Sequence, residues 1–307
     1  MITVLRPSPF ATVQDLGRPG YLHAAVARGG ALDPFALALA NVLVGNEPGA
    51  AAVEWGLAGG ELRVEHNTTI ALAGARAEAT LGERSVPNDR AVRAAAGEVL
   101  RIARLEEGAW LYLAIAGGID LPPVLGSRAT YLPARFGGLE GRLLRPGDRL
   151  PTGDPRPGVT PLDDRGMDAA GSLSARPIAI LPGPDRHLLP AEAWPWLTQT
   201  EFRVSRAVSR MGYRLEGTRP RFSLPGDMPS APACIGTIQL PPAGEPIVLL
   251  PDGPTVGGYP RVAVVATADV GRLAQRRPGE SVRFHLVGLE EARTRLRDQW
   301  GALGRPH

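Results

Sequence analysis

The residues of this 307-residue chain that could do chemistry gather in four short stretches, where polar side chains sit among glycines. The first is Thr12-Val13-Gln14-Asp15-Leu16-Gly17-Arg18, followed by Gly20, Gly29, Gly30 and Asp33. It brings an amide, a carboxylate and a guanidinium within five residues, on a loop that glycines allow to bend sharply. Such a set suits a small polar ligand carrying amide and carboxylate groups. An Asp15–Arg18 pair pinning a turn would use the same residues, and Asp33 could equally cap a helix. The second stretch holds Asn41, Asn46 and Glu54. Asn41 falls inside a predicted helix, where asparagine is mildly unfavourable, so its side chain needs a partner, structural or otherwise.

The third runs from Ala116-Gly117-Gly118-Ile119 to Leu125-Gly126-Ser127-Arg128-Ala129-Thr130. Two glycines at a strand's end permit close approach by another segment or by a ligand. Arg128 beside Ser127 could hold an anion. The fourth is Gly236-Thr237-Ile238-Gln239-Leu240-Pro241-Pro242, then Asp252, Thr255, Gly257, Gly258, Tyr259 and Pro260. Gln239 and Tyr259 offer neutral hydrogen-bonding groups, which suits an amide ligand, although Tyr259 could equally be a packed barrel residue.

Other chemistries are excluded. There is no HExxH and no GxSxG. The five histidines, His23, His66, His187, His285 and His307, are scattered without metal-like spacing, so no metal site is expected. Cys234 is the single cysteine, which rules out an internal disulfide and a thiolate metal cluster. It could be a nucleophile, but a small buried core residue is the expected reading. All 34 basic residues are arginine. A GC-rich genome explains that bias, and the consequences hold regardless. There is no lysine for a Schiff base, a P-loop or a general base, and none to carry covalent biotin or lipoyl. A net charge of +3 without a basic block, and 5% aromatic residues, argue against a nucleic-acid platform. The start MITVLRPSPFATVQD lacks the basic-then-apolar order of a signal peptide. The longest apolar run, about Ala109–Ile119, is too short to span a bilayer. The expectation is a cytoplasmic protein with no membrane partner.

The elements that must position these residues are mostly short strands. Together, 38 Gly and 31 Pro make up about 22% of the chain, which disfavours long helices. Strand-like runs include Ile2–Leu5, Glu61–Val64, Thr69–Leu72, Val99–Leu105, Trp110–Ala116, Pro177–Leu181, Thr237–Leu240, Pro246–Leu250, Arg261–Ala266 and Ser281–Val287. Helices are expected from Asp33 to Gly45 and over Leu289–Trp300, with shorter turns at Asp269–Gln275 and Ala191–Leu197. Length suggests two domains, and the Pro- and Gly-rich stretch 151–176 reads as a linker or long surface loop. Arg145-Pro146-Gly147-Asp148 and Arg277-Pro278-Gly279-Glu280, each before a strand, fit two related β-barrels.

Eight blocks then follow one another in order: TVQDLGRPG, GG-x-LDP-x-A, AN-x-LVGN, AGGI, LGSRAT, SRMGYRLEG, GTIQLPPAGEPIVLLPDGPTVGGYPRVAVV and LAQRRPGESVRF. They resemble the KipA/PxpC family of 5-oxoprolinase C subunits. That family is related to the carboxyltransferase domain of urea carboxylase and is also called allophanate hydrolase subunit 2. The resemblance implies a mainly β fold of two cyclophilin-like β-barrel domains with a few short helices, placed at 1–165 and 166–307. It implies a complex made directly with the 5-oxoprolinase B subunit and completed by the A subunit. Together they open the lactam of 5-oxoproline to glutamate at the expense of ATP. A biotin-dependent carboxyltransferase acting on urea or another small amide, with biotin on a separate carrier, is the first alternative. A non-catalytic regulatory partner of a kinase inhibitor is the second. On this reading the catalytic candidates are Gln14, Asp15 and Arg18 from one half, facing Arg128, Gln239 and Tyr259, with the substrate between the barrels. Asp33, Asn41, Gly117, Gly118, Ser127, Arg210, Thr255, Gly257 and Gly258 are the substrate-binding candidates.

Overall fold

The computed structural model describes residues 1–156, 176–223 and 228–303. Most of the 151–176 stretch and the 165/166 boundary lie outside the described residues. The chain divides into two compact units. One is formed by Met1–Arg18 and residues 29–156, the other by Pro19–Arg28 and the described residues from 176 onward.

The first unit is a nine-stranded sheet with one helix over it. Its strands are β1 (Ile2–Arg6), β2 (Thr12–Gln14), β3 (Ala52–Gly56), β4 (Gly60–Val64), β5 (Thr68–Leu81), β6 (Arg84–Ser85), β7 (Ala91–Ala94), β8 (Val99–Ile115) and β9 (Arg149–Leu150). The order is β2-β3-β8-β4-β1-β9, with β5 along the other side of β8. The sequence suggests two strands over Val99–Ala116, but β8 is one strand of 17 residues. An extra residue, Ala103, stands between Ile102 and Arg104 opposite the pair Ala79–Glu78 of β5. This bulge shifts the inward-facing set from Leu100 and Ile102 to Leu105, Leu111, Leu113 and Ile115. A strict period of two therefore breaks, and the strand reads as two. Trp110, Tyr112 and Ala114 alternate with the inward set, and all three are buried.

The helix α1 (Pro34–Leu43) packs against both long strands. Asp33 caps it by accepting the Ala36 N–H at 3.1 Å, Pro34 stands at its first position, and Gly45 leaves it at φ 81°. Its side chains are apolar on nearly every face and seven of its ten residues are buried, as a helix enclosed by its own unit requires.

The second unit is an eight-stranded sheet. Its strands are β10 (Ile178–Pro182), β11 (Phe202–Ser209), β12 (Gly212–Glu216), β14 (Thr237–Gln239), β15 (Ile247–Leu249), β17 (Arg261–Val265), β18 (Ser281–Val282) and β19 (Phe284–Leu286). A separate ribbon pairs β13 (Ala231–Pro232) with β16 (Val256–Gly257). The sheet order is β18-β11-β12-β15-β14-β17-β10-β19. Its two end strands follow one another in the chain, separated only by Arg283, so the sheet comes round on itself as a nearly closed barrel. Three helices accompany it: α2 (Ala193–Gln199), α3 (Thr267–Ala274) and α4 (Leu289–Gly301). The fold is mainly β, as the sequence indicates. Among the described residues no helix is long and apolar enough to cross a membrane.

The two Arg-Pro-Gly-acid turns match in detail. Asp148 N–H bonds Arg145 O at 3.1 Å, and Glu280 N–H bonds Arg277 O at 3.0 Å. The acid side chain accepts the first residue's N–H in both, Arg145 to Asp148 at 2.7 Å and Arg277 to Glu280 at 3.1 Å. Each turn then grips one valine: Gly147 N–H donates to Val4 O and Gly279 N–H to Val204 O, both at 2.7 Å. Gly147 and Gly279 have φ 90° and 87°, with open space where a Cβ would stand. Alanine at either position therefore introduces backbone strain without a clash. Gly147→Ala and Gly279→Ala should each cost about 1 kcal/mol, read as similar drops in denaturation midpoint.

Candidate functional site

In the first unit, Gln14 closes β2 rather than lying on the loop, and the loop begins at Asp15. Gln14 is fully buried. Its Nε2 donates to Thr12 Oγ1 at 3.0 Å and to Thr130 O at 3.2 Å. Its Oε1 is buried with no hydrogen-bond partner among the described residues. Asp15 ties two loops together. Its Oδ1 accepts from Gly17 N–H and Ser127 Oγ, both at 2.7 Å, and its Oδ2 accepts from Arg128 N–H at 2.6 Å. Arg18 is 1% exposed, donates to Ala129 O, and lies over the Phe136 ring at 4.8 Å. Arg128 reaches Asp120 at 2.8 Å, with its side chain 37% exposed. Thr130 closes the group by bonding Val13 O through both N–H and Oγ1, at 2.9 and 3.0 Å. The structure thus brings Gln14, Asp15, Arg18, Ser127 and Arg128 into one polar cluster.

Asn41 stands elsewhere in the same unit. Its Nδ2 donates to Ala50 O at 2.7 Å, and its Oδ1 accepts from Asn46 Nδ2 at 2.9 Å. Asn46 in turn donates to Ile115 O and accepts from Gly117 N–H, both at 2.8 Å. This asparagine chain fastens the end of α1 to the end of β8. Gly117 is closely approached by another segment, since a Cβ there would lie 2.0 Å from Gly153 O. Gly118 follows it at φ 69° and accepts the Gly153 N–H at 3.1 Å. Glu54, fully buried, accepts from Leu32 N–H at 2.9 Å and from Tyr112 Oη at 2.8 Å. The same Tyr112 oxygen accepts the Asp33 N–H at 2.8 Å. Burial first, then the charges of Glu54 and Asp33, push the Tyr112 phenol well above its usual range.

In the second unit, Gln239 is buried on β14, opposite a bulge between Ala263 and Arg261 of β17. Its Nε2 has no hydrogen-bond partner among the described residues. Gly257 lies against that amide, while Tyr259 is 38% exposed. Thr255 O accepts from Ala233 N–H at 2.9 Å, and Gly258 O from Met228 N–H at 3.1 Å. Arg210 forms a buried two-pronged pair with Asp252, at 2.9 and 3.2 Å. Arg261 grips Asp185 at 2.7 and 3.0 Å and reaches Pro232 O at 2.6 Å, fastening the β13–β16 ribbon. Cys234 is exposed, contrary to the expected core position. It lies in the turn before β14, where its N–H bonds Thr237 Oγ1 at 3.1 Å, so the backbone turn rather than packing places it.

Two features escaped the sequence reading. Gly137 and Gly138 crowd the first cluster: a Cβ at Gly137 would meet Ala129 O, and one at Gly138 would meet Thr130 Oγ1. Thr12-Val13-Gln14 and Thr237-Ile238-Gln239 are the same Thr-x-Gln pattern on one strand of each unit, and a search for internal repeats could have found it. A cleft of about 720 Å³ lined by His187, Leu188, Pro190, Glu192, Arg221 and Phe222 contains none of the candidate residues. Among the described residues no three His, Cys, Asp or Glu side chains group as a metal site would require.

Fold and geometry together define a mainly β protein of two units, each holding a buried glutamine amide with one atom unpartnered among the described residues. The chain belongs to the family described as carboxyltransferase domain, subdomain A and B, which matches residues 24–286. The chain is 40% identical over 304 residues to an Escherichia coli protein named as the C subunit of 5-oxoprolinase, covering 97% of this chain and 95% of that one. It is 34% identical to the Haemophilus influenzae protein of the same name, over 95% and 93% of the two chains. The solved structure of the K. lactis urea amidolyase superposes with a TM-score of 0.89 at 29% identity, covering 98% of this chain and 20% of that one. The family resemblance carried by the eight sequence blocks therefore holds.

Two outcomes follow from the geometry. Asp15→Ala removes the acceptor of three short hydrogen bonds and should destabilise the first unit by about 3 kcal/mol, seen as a melting temperature lower by several degrees. The hydrogen bond from Arg261 holds Asp185 below the usual carboxylate range. A lowered folded-state value means this pair lends stability above the ordinary Asp value of about 3.9 and loses it as pH falls through the lower value. Asp185→Asn should therefore flatten the acid limb of the stability–pH curve, measured by urea denaturation between pH 6 and 3, and leave its neutral-to-basic shape unchanged.

Proposed function

We propose that this chain is the C subunit of an ATP-dependent 5-oxoprolinase, working with the A and B subunits to open the lactam of 5-oxoproline to L-glutamate. The observation that carries the reading is 40% identity, over almost the full length of both chains, to a protein named as a 5-oxoprolinase C subunit. The substrate chemistry agrees with the residue types. A lactam presents a carbonyl oxygen and an adjacent N–H, and its carboxylate calls for a cationic or amide partner. Breaking its C–N bond by water requires the carbonyl to be polarised by donors set for the developing charge. Gln14, Asp15, Arg18 and Arg128 of the first unit, and Gln239 and Tyr259 of the second, are the candidates we keep for substrate contact, each unit taken by itself; of these the amides, the guanidiniums and the Tyr259 hydroxyl are the groups able to donate to a carbonyl. ATP is consumed by the complex. With no lysine in the chain, any nucleotide held here would lack a P-loop lysine. We place the complex in the cytoplasm.

A second reading is favoured by the family description and by the likeness to urea amidolyase. In it the chain transfers a carboxyl group to urea or another small amide. Because the chain has no lysine, biotin would have to arrive on a separate carrier protein.

The test combines the purified chain with the A and B subunits, ATP and 5-oxoproline, and measures glutamate. Glutamate formation that requires all three proteins is expected. Equal glutamate with and without this chain would defeat the reading. Urea-dependent loss of carboxyl groups from a carboxybiotinylated carrier would favour the second.

A further inference from the structure

The Thr-x-Gln strands of the two units use their amides differently. In the first, Gln14 Nε2 donates to the threonine hydroxyl two residues earlier, at 3.0 Å. In the second, the equivalent hydroxyl of Thr237 is occupied by Cys234, through N–H at 3.1 Å and Sγ at 3.4 Å. Gln239 Nε2 is left buried with no partner among the described residues, although Gln239 is only 4% exposed. A buried donor without an acceptor costs about 1–3 kcal/mol, so its retention calls for a compensating use. The bulge opposite Gln239 is the kind of irregularity that re-aims a side chain beside a functional site.

Gly257 explains how the amide is held. A Cβ at this position would stand 2.2 Å from Gln239 Nε2 and 3.3 Å from its Cδ. Gly257 does not fall among the positive-φ glycines, so its backbone would accept an alanine and only space forbids one. The glycine lies in the β13–β16 ribbon, itself tied down by Arg261 through Pro232 O.

Resting on the amide-substrate reading above, we propose that Gln239 Nε2 is the donor that recognises a carbonyl or carboxylate oxygen of the small amide substrate. Gly257 is its positioning residue: by lacking a side chain it sets where that donor stands. The atom displaced by a Cβ at Gly257 is the far end of a flexible side chain, so Gly257→Ala moves the amide without unfolding the unit.

Two measurements test this. In the reconstituted complex, Gly257→Ala and Gln239→Ala should each raise KM for 5-oxoproline about tenfold, the loss of one hydrogen bond. Both should melt near wild type, and the double variant should be no worse than the poorer single one. Additive losses, or a wild-type KM in Gly257→Ala, would overturn the positioning role. Separately, the isolated full chain is titrated with 5-oxoproline and with urea while the Gln239 side-chain amide resonance, identified by its loss in Gln239→Ala, is followed by NMR. Movement in the wild type that Gly257→Ala abolishes is expected. A resonance that neither compound moves overturns the recognition role, whatever the complex does. Movement with urea alone keeps the recognition role and removes 5-oxoproline as the substrate.

Discussion

The ladder between the two long strands, Thr68–Leu81 and Val99–Ile115, is the constraint on which the first unit rests. The longer strand pairs with three others, bonding Ala52–Gly56 and Gly60–Val64 along one edge and Thr68–Leu81 along the other. Its register decides which side chains enter the core and which meet the helix Pro34–Leu43. Tyr112 alternates with the inward residues Leu111 and Leu113, which places its hydroxyl where Glu54 and the Asp33 N–H converge. A slip of one residue would turn Tyr112 inward and leave Glu54, fully buried, without that donor. The asparagine chain from Asn41 through Asn46 ends on Ile115 O, the last residue of the same strand. Helix cap, buried carboxylate and asparagine chain therefore depend on one register.

The sequence carries the outline of this fold well, for reasons that can be named. The helix at Asp33–Gly45 announces itself because capping residue, proline and glycine stand at positions that only a helix would reward. The paired Arg-Pro-Gly-acid turns are legible because proline and a positive-φ glycine at successive positions specify one turn type. The long strand is less legible because a bulge at Ala103 inverts its alternation, and because Glu106, Glu107 and Gly108 look like a break. Ala52–Gly56 escapes because Glu54 interrupts an otherwise apolar run. The partners that make that carboxylate tolerable, Leu32 and Tyr112, are remote in sequence. Cys234 misleads for the opposite reason: composition favours burial for a lone cysteine, whereas its place is set by a turn hydrogen bond to Thr237.

Residue type was a better guide to the polar clusters than to the part each member plays. Asp15 and Arg18 are close in sequence and invite a mutual ion pair. In the fold Asp15 also binds the 127–128 segment, and Arg18 also rests on Phe136. Gly117 and Gly118 read equally as a ligand cradle or a packing contact, and the contact with Gly153 decides for packing at Gly117. Neither outcome could be read locally, since each depends on a partner far along the chain. A glutamine amide with an atom unpartnered among the described residues is invisible in sequence because it consists of a missing neighbour.

On the amide-substrate proposal, that missing neighbour also bears on how a small neutral amide would be recognised. A lactam and urea share little beyond a carbonyl oxygen and flanking N–H groups. A neutral amide presents both a donor and an acceptor to such a group. Among the described residues Gln14 Oε1 is an acceptor without a partner and Gln239 Nε2 a donor without one. Thr12 Oγ1 accepts from the glutamine's own amide, whereas Thr237 Oγ1 accepts from Cys234 N–H. The repeated Thr-x-Gln strand thus carries an amide whose nitrogen is partnered in one unit and, among the described residues, unpartnered in the other.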